Sequence, residues 1–102
     1  MSSGRKVQVR LGKPDRQTGE LGVIVDTPFN GGFVEDLKDL CEYPDRKWFP
    51  KRKVWWISAT FESDVVALVV YYYGETMLIT DDGDEVYLDE TGEEVGRQTR
   101  LL

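Results

Sequence analysis

The chain contains no histidine and a single cysteine, Cys41. Without imidazole it lacks the commonest general base and the commonest transition-metal ligand. One thiol permits no intrachain disulfide, and with no histidine to join it no usual zinc ligand set can be assembled from one chain. A nucleophile, a base and an orienting group cannot be drawn from these residue types, so an enzyme is not expected, and neither is a cofactor or a metal. Long apolar runs are also missing. The longest, Val65 to Tyr73, has nine residues, about half of the ~20 that a membrane-crossing helix requires. Met1 to Arg10 has no apolar stretch of signal-peptide type. The expectation is a soluble cytoplasmic protein with a reduced cysteine.

What is present supports one folded domain. Of 102 residues, 40% are hydrophobic and twelve are aromatic, enough for a core built around a few large side chains. Residues 1–95 are expected to form a single α+β domain and residues 96–102 a mobile tail. The net charge of −6 argues against a general nucleic-acid binder, but it is unevenly spread. Residues 1–60 carry eleven Lys/Arg and eight Asp/Glu, a net of +3, whereas residues 61–102 carry two and eleven, a net of −9. Two ends or faces of opposite sign are implied.

Periodicity places the elements. Val7, Val9 and Leu11 alternate with polar residues, as do Leu21, Val23 and Val25, which predicts a strand pair joined by a basic-leaning loop at residues 13–19. Phe33, Val34, Leu37, Leu40 and Cys41 form one apolar helical stripe, with Asn30 as its N-cap. Trp48-Phe49 and Val54 to Ile57 flank Pro50, which predicts a hairpin with Pro50 in the second turn position. Trp55 and Ile57 then face one side, Val54 and Trp56 the other. Phe61, Val65, Leu68, Val69 and Tyr72 predict a second helix ending at Gly74, capped by Thr60 or Ser63, although its valines and tyrosines favour strand. Residues 76–80 and 85–88 predict two short strands around an Asp-Gly turn, followed by another turn at residues 89–92. The resulting order, ββ-α-ββ-α-ββ, predicts a small antiparallel sheet built from hairpins with two helices on one face.

Two surface features are candidates for function. Around Pro50 stand Arg46, Lys47, Lys51, Arg52 and Lys53 beside Trp48 and Phe49. Cations on a turn can neutralise phosphates, and rings can stack on exposed bases. A plainer alternative is a solvated turn above a core of Trp55, Trp56 and Ile57. The pattern of Phe33, Leu37-Lys38, Arg46, Trp48, Pro50, Lys53, Trp55 and Ile57, followed by an apolar helix, resembles the HARP-like modules beside the motors of annealing and repair helicases, and their small phage and plasmid relatives. The resemblance spans residues 33–73 and implies a small α+β fold that recognises DNA structure, with single-stranded or forked DNA as the partner. Phe49 stands where that family has an Asp before the Pro. An Asp there accepts hydrogen bonds from turn amides, whereas an exposed Phe offers a stacking contact.

The second feature is acidic. Asp81, Asp82, Asp84, Glu85, Asp89, Glu90, Glu93 and Glu94 lie within fourteen residues. Asp81, Asp82, Asp84 and Glu85 are candidates for docking on a basic protein surface, in the manner of a small phage- or plasmid-type regulator or inhibitor. Solubility and edge-strand protection are the alternative. An EF-hand is excluded, because a loop starting at Asp82 puts Tyr87 where glycine is required. Cys41 lies on the apolar stripe of the first helix and reads as a small buried hydrophobe. Of Tyr71, Tyr72 and Tyr73, at least one ring must face outward on any regular element.

Overall fold

The computed structural model describes residues 7–99. The chain opens with the antiparallel pair β1 (Gln8–Pro14) and β2 (Leu21–Asp26). Their β-branched residues alternate as expected, and Val9, Val23 and Val25 are buried. The register slips between Arg10 and Lys13, where Gly12 takes φ +66. A Cβ at that position would lie 2.6 Å from the Cβ of Asp81. Glycine is needed here for its conformation and for the close approach, and the bulge bends the strand end.

Helix α1 (Gly31–Leu40) begins where Asn30 accepts a hydrogen bond from the Phe33 amide, which satisfies one of the orphan N–H groups of the first turn. Phe33, Leu37 and Cys41 are buried along its stripe. Strands β3 (Arg46–Phe49) and β4 (Val54–Ser58) form the expected hairpin. The Lys53 amide donates to the Phe49 carbonyl at 2.7 Å, and Lys53 has φ +57. The turn therefore closes one residue later than a four-residue turn.

Helix α2 (Glu62–Tyr73) overrides the strand propensity of its valines and tyrosines. Its stripe buries Val65 and Val69 completely, and tertiary burial of that kind outweighs propensity differences of a few tenths of a kcal/mol per residue, ~0.5 or less between these types and good helix formers. Gly74, at φ +78, ends it. Its start differs from expectation. Ser58 accepts from the Thr60 amide and opens a 3-10 turn at Ala59–Phe61, and the helix itself follows without a side-chain cap. Glu62 and Asp64 in the first turn compensate by facing the positive end of the helix dipole.

Strands β5 (Thr76–Ile79), β6 (Glu85–Leu88) and β7 (Glu94–Gln98) complete one seven-stranded sheet in the order β3-β4-β2-β1-β5-β6-β7. Two expectations are corrected here. The sheet is mixed rather than antiparallel, because β5 runs parallel to β1. Helix α2 carries the chain back to the end from which β4 started, so the next strand enters in the direction of β4, which is also that of β1. The sheet also has a seventh strand, so order extends through Gln98 and into the segment expected to be a tail; residues 100–102 lie outside those described. Strand β7 is polar and almost wholly exposed. Its backbone ladder to β6 holds it, and such a ladder leaves no side-chain pattern to read.

Both helices pack on one core, formed by Val9, Val23, Val25, Phe33, Leu37, Ile57, Val65 and Val69. Helix α2 reaches further to cover Val86 and Leu88 through Val70. The other face of the sheet has its own small core of Ile24, Val54 and Trp56, with Phe49 against it. The division of Trp55 and Ile57 from Val54 and Trp56 is as expected.

Candidate nucleic-acid interface

Trp56 is 2% exposed although no helix covers its face of the sheet. Residues of β1, β2 and β3 pack around it instead. Gly22 leaves room for the ring, since a Cβ there would stand 2.4 Å from Trp56. The indole Nε1 donates to the Lys13 carbonyl at 2.9 Å, which ties the ring to the bulged end of β1. The Lys47 ammonium sits 5.7 Å from the ring centroid, within cation–π range.

The β1–β2 loop is organised around Asp15. Its amide donates to the Glu20 carbonyl, and its carbonyl accepts from the Gly19 amide. Its carboxylate accepts from the Thr18 hydroxyl at 2.9 Å and from Lys47 Nζ at 2.7 Å. The two side chains of this ion pair are only 3% and 11% exposed. The hydrogen bond from Lys47 holds the Asp15 carboxyl below the usual carboxylate range, against the opposing effect of burial. A loop that enters at one end of the sheet is thereby fixed to β3, and the β3–β4 turn closes the other end.

Between them lies a cleft of about 790 Å³. Ile24, Phe49, Pro50 and Trp56 line it together with Arg10, Lys13, Arg16, Lys51 and Arg52; Asp15 is its one acid. A second, larger groove of about 1150 Å³ runs along the open edge of β3 toward α1. Phe29, Tyr43, Trp48, Trp55 and Tyr73 contribute rings to it, and Arg16, Lys38, Arg46, Lys47 and Lys53 contribute cations. Asp15, Arg16, Phe49 and Pro50 border both cavities, which lie on the two faces of the sheet at the β3 edge.

Five cations line each cavity and Arg16 is shared, which makes nine distinct Lys/Arg. Residues 7–99 contain ten Lys/Arg and all nineteen Asp/Glu. Only Arg97 among those cations lies elsewhere, and only Asp15 among the acids lies here. Asp15 is already neutralised by Lys47. The linings therefore combine nine cations, of which Lys47 is paired with Asp15 and Arg10 with Asp26 at 3.2 Å, with apolar and aromatic walls.

The residues singled out from sequence fall into three groups. Lys51, Arg52 and Lys53 are exposed at the turn, and Trp48 is 45% exposed. Arg46 and Lys47 are committed internally: Arg46 Nε donates to the Cys41 carbonyl at 3.0 Å with its guanidinium over Trp55, and Lys47 holds Asp15. Phe49 is half-buried against Ile24, Val54 and Trp56, so it is part of the cleft floor rather than a free stacking ring. Arg10, Lys13, Arg16, Lys38, Phe29 and Tyr43 were not singled out. The basic-leaning loop at residues 13–19 was a signal for two of them, but nothing in the sequence joins that loop to the Pro50 turn.

The acidic candidates lie toward the opposite edge of the sheet. Asp81 and Asp82 are exposed in the β5–β6 turn, while Asp84 and Glu85 are half-buried. Arg97 reaches Asp84 at 3.8 Å and Glu94 at 3.3 Å, and the Tyr87 hydroxyl donates to Glu85. Among the described residues no cluster of three or more His, Cys, Asp or Glu could hold a metal ion, and no helix is long and apolar enough to cross a membrane.

Comparison with known proteins finds no family model, no curated relative and no solved structure that matches this chain.

Proposed function

We propose that this protein is a non-enzymatic, cytoplasmic nucleic-acid-binding module whose contact surface is the basic cleft and the groove that borders it. The observation that carries the reading is the sorting of charge: nine of the ten described cations line these cavities, with one neutralised acid among them. A polyanion with regularly spaced charges is the ligand that such a surface attracts most strongly. The contacts are Lys51, Arg52 and Lys53 on the turn, Lys13 at the end of β1 and Arg16 on the loop that follows it. Trp48 adds a ring, while Arg46, Lys47 and Phe49 hold the scaffold beneath. The resemblance of residues 33–73 to HARP-like modules points the same way.

Fluorescence anisotropy with labelled single-stranded, forked and duplex DNA tests this reading. Binding should weaken steeply with salt. Replacing Lys51, Arg52 and Lys53 by Ala should reduce the slope of log K against log salt by about 0.7–0.9 for each phosphate that is no longer neutralised. Absence of binding at low salt, or indifference to that triple substitution, excludes the proposal.

A second reading rests on the opposite edge, where eight carboxylates lie within residues 81–94. Here Asp81, Asp82, Asp84 and Glu85 dock on a basic protein partner. A pull-down whose recovered partners are unchanged when these four residues are neutralised would count against it.

A further inference from the structure

We propose that the groove along β3 is a base-stacking subsite, so that the preferred ligand is a nucleic-acid strand with unpaired bases rather than a duplex. This rests on the nucleic-acid reading above and specifies which form of nucleic acid is bound. Phe29, Tyr43 and Trp48 line the groove and are 85%, 70% and 45% exposed. Large rings left in water around one concavity mark a binding surface rather than a core. Trp48 is also a supported platform. Its ring lies 5.0 Å from that of Trp55 at an interplanar angle of 50°, and the Arg46 guanidinium rests over Trp55 in turn. A ring held this way loses little conformational freedom when a base stacks on it.

Size and charge narrow the occupant further. At about 1150 Å³ the groove exceeds the range of ~300–1,000 Å³ typical of small-molecule pockets, which favours a chain segment. Lys38 and Lys53 line it beside the rings, and Arg16 borders both it and the basic cleft. Phosphates along the cleft and bases in the groove are two parts of one strand. A duplex keeps its bases stacked inside and offers none to the rings. An uncharged or basic peptide gains no Coulomb attraction from the lysines and arginines of the lining.

The test compares short oligothymidine, an abasic oligomer of the same length and the corresponding duplex, each titrated against the full chain and against the variant F29A/Y43A/W48A. Oligothymidine should bind more tightly than the abasic oligomer and should quench tryptophan fluorescence. In the ring variant its affinity should fall by about 5- to 150-fold for each base that loses its stacking partner, while the abasic oligomer binds as before with the same salt slope. Restoring a ring with Trp48→Phe in place of Trp48→Ala should recover part of the loss. Equal affinity of the native chain for the base-bearing and abasic oligomers overturns the stacking proposal but leaves the nucleic-acid reading intact. Failure of every oligomer to bind overturns both. Capture of an acidic peptide in place of oligothymidine, with loss of that capture in the ring variant, assigns the groove to a protein partner and also overturns the proposal.

Discussion

The two edges of the sheet are built from similar parts and behave as opposites. Each ends in a hairpin with a short charged turn. At the β3–β4 edge, packing occurs on both faces: Trp55 faces the helices, residues of β1, β2 and β3 pack around Trp56, and the Asp15–Lys47 pair bolts the β1–β2 loop down. At the β6–β7 edge, Val86 and Leu88 pack on one face, while β7 itself is held by its backbone ladder and the contacts of Arg97. Nine of the ten described cations line cavities at the packed edge, and eight of the nineteen acids cluster within residues 81–94 toward the loosely held one. A binding surface needs side chains fixed in place, whereas an acidic edge needs only to stay solvated and to deter further strand pairing.

The largest contrast between the edges is expected in stability. Trp56→Ala removes the cleft floor and orphans the Lys13 carbonyl, at a cost of about 3–5 kcal/mol, measurable by urea denaturation. Val95→Ala on β7 should stay within about 0.5 kcal/mol. Comparable losses at the two sites would remove the distinction between the edges. Local opening is the next effect. Hydrogen exchange should show the β7 amides opening far more readily than those of β4, which lies between β3 and β2. Equal protection would show that the polar edge is anchored by more than its ladder.

Acid should act on the packed edge through Asp15. Its carboxyl is depressed in the folded chain, so its contribution to stability is complete above the ordinary value near 3.8 and is lost as pH falls through the lower folded value. Asp89, whose carboxylate accepts from the Thr91 hydroxyl and amide, is depressed in the same direction and shares that window. Asp15→Asn should flatten the fall in stability between neutral pH and pH values below about 4, though not abolish it. An unchanged acid profile in that variant would place the dependence elsewhere. The smallest effect concerns ligand. Neutralising Asp81 and Asp82 should leave DNA affinity unchanged or slightly improved, because it removes Coulomb repulsion of the phosphates, whereas neutralising Lys51 and Arg52 weakens it.

Much of this architecture was legible before any coordinates. The stripe of Phe61, Val65, Leu68, Val69 and Tyr72 identified α2 against its own propensities, because burial of a regular face outweighs small local preferences. Asn30 and Gly74 marked helix ends because few residues can fill those positions. Strand β7 was not legible, since a ladder made of backbone groups places no demand on polar side chains. The parallel pairing of β5 with β1 was missed because hairpin turns announce only neighbours in sequence. The cleft was missed for a related reason. Its cations come from β1, the loop after it and the β3–β4 turn, segments that are distant in sequence and meet only through the sheet order.

By itself, then, the sequence determined the class of fold, the two helices, the opposite facing of Trp55 and Trp56 and the uneven distribution of charge, because these follow from local periodicity and composition. Only the tertiary structure decided which charges meet. Strand order and a one-residue slip in register are set by the packing of distant segments, and they gathered a scattered set of lysines and arginines around two adjoining cavities.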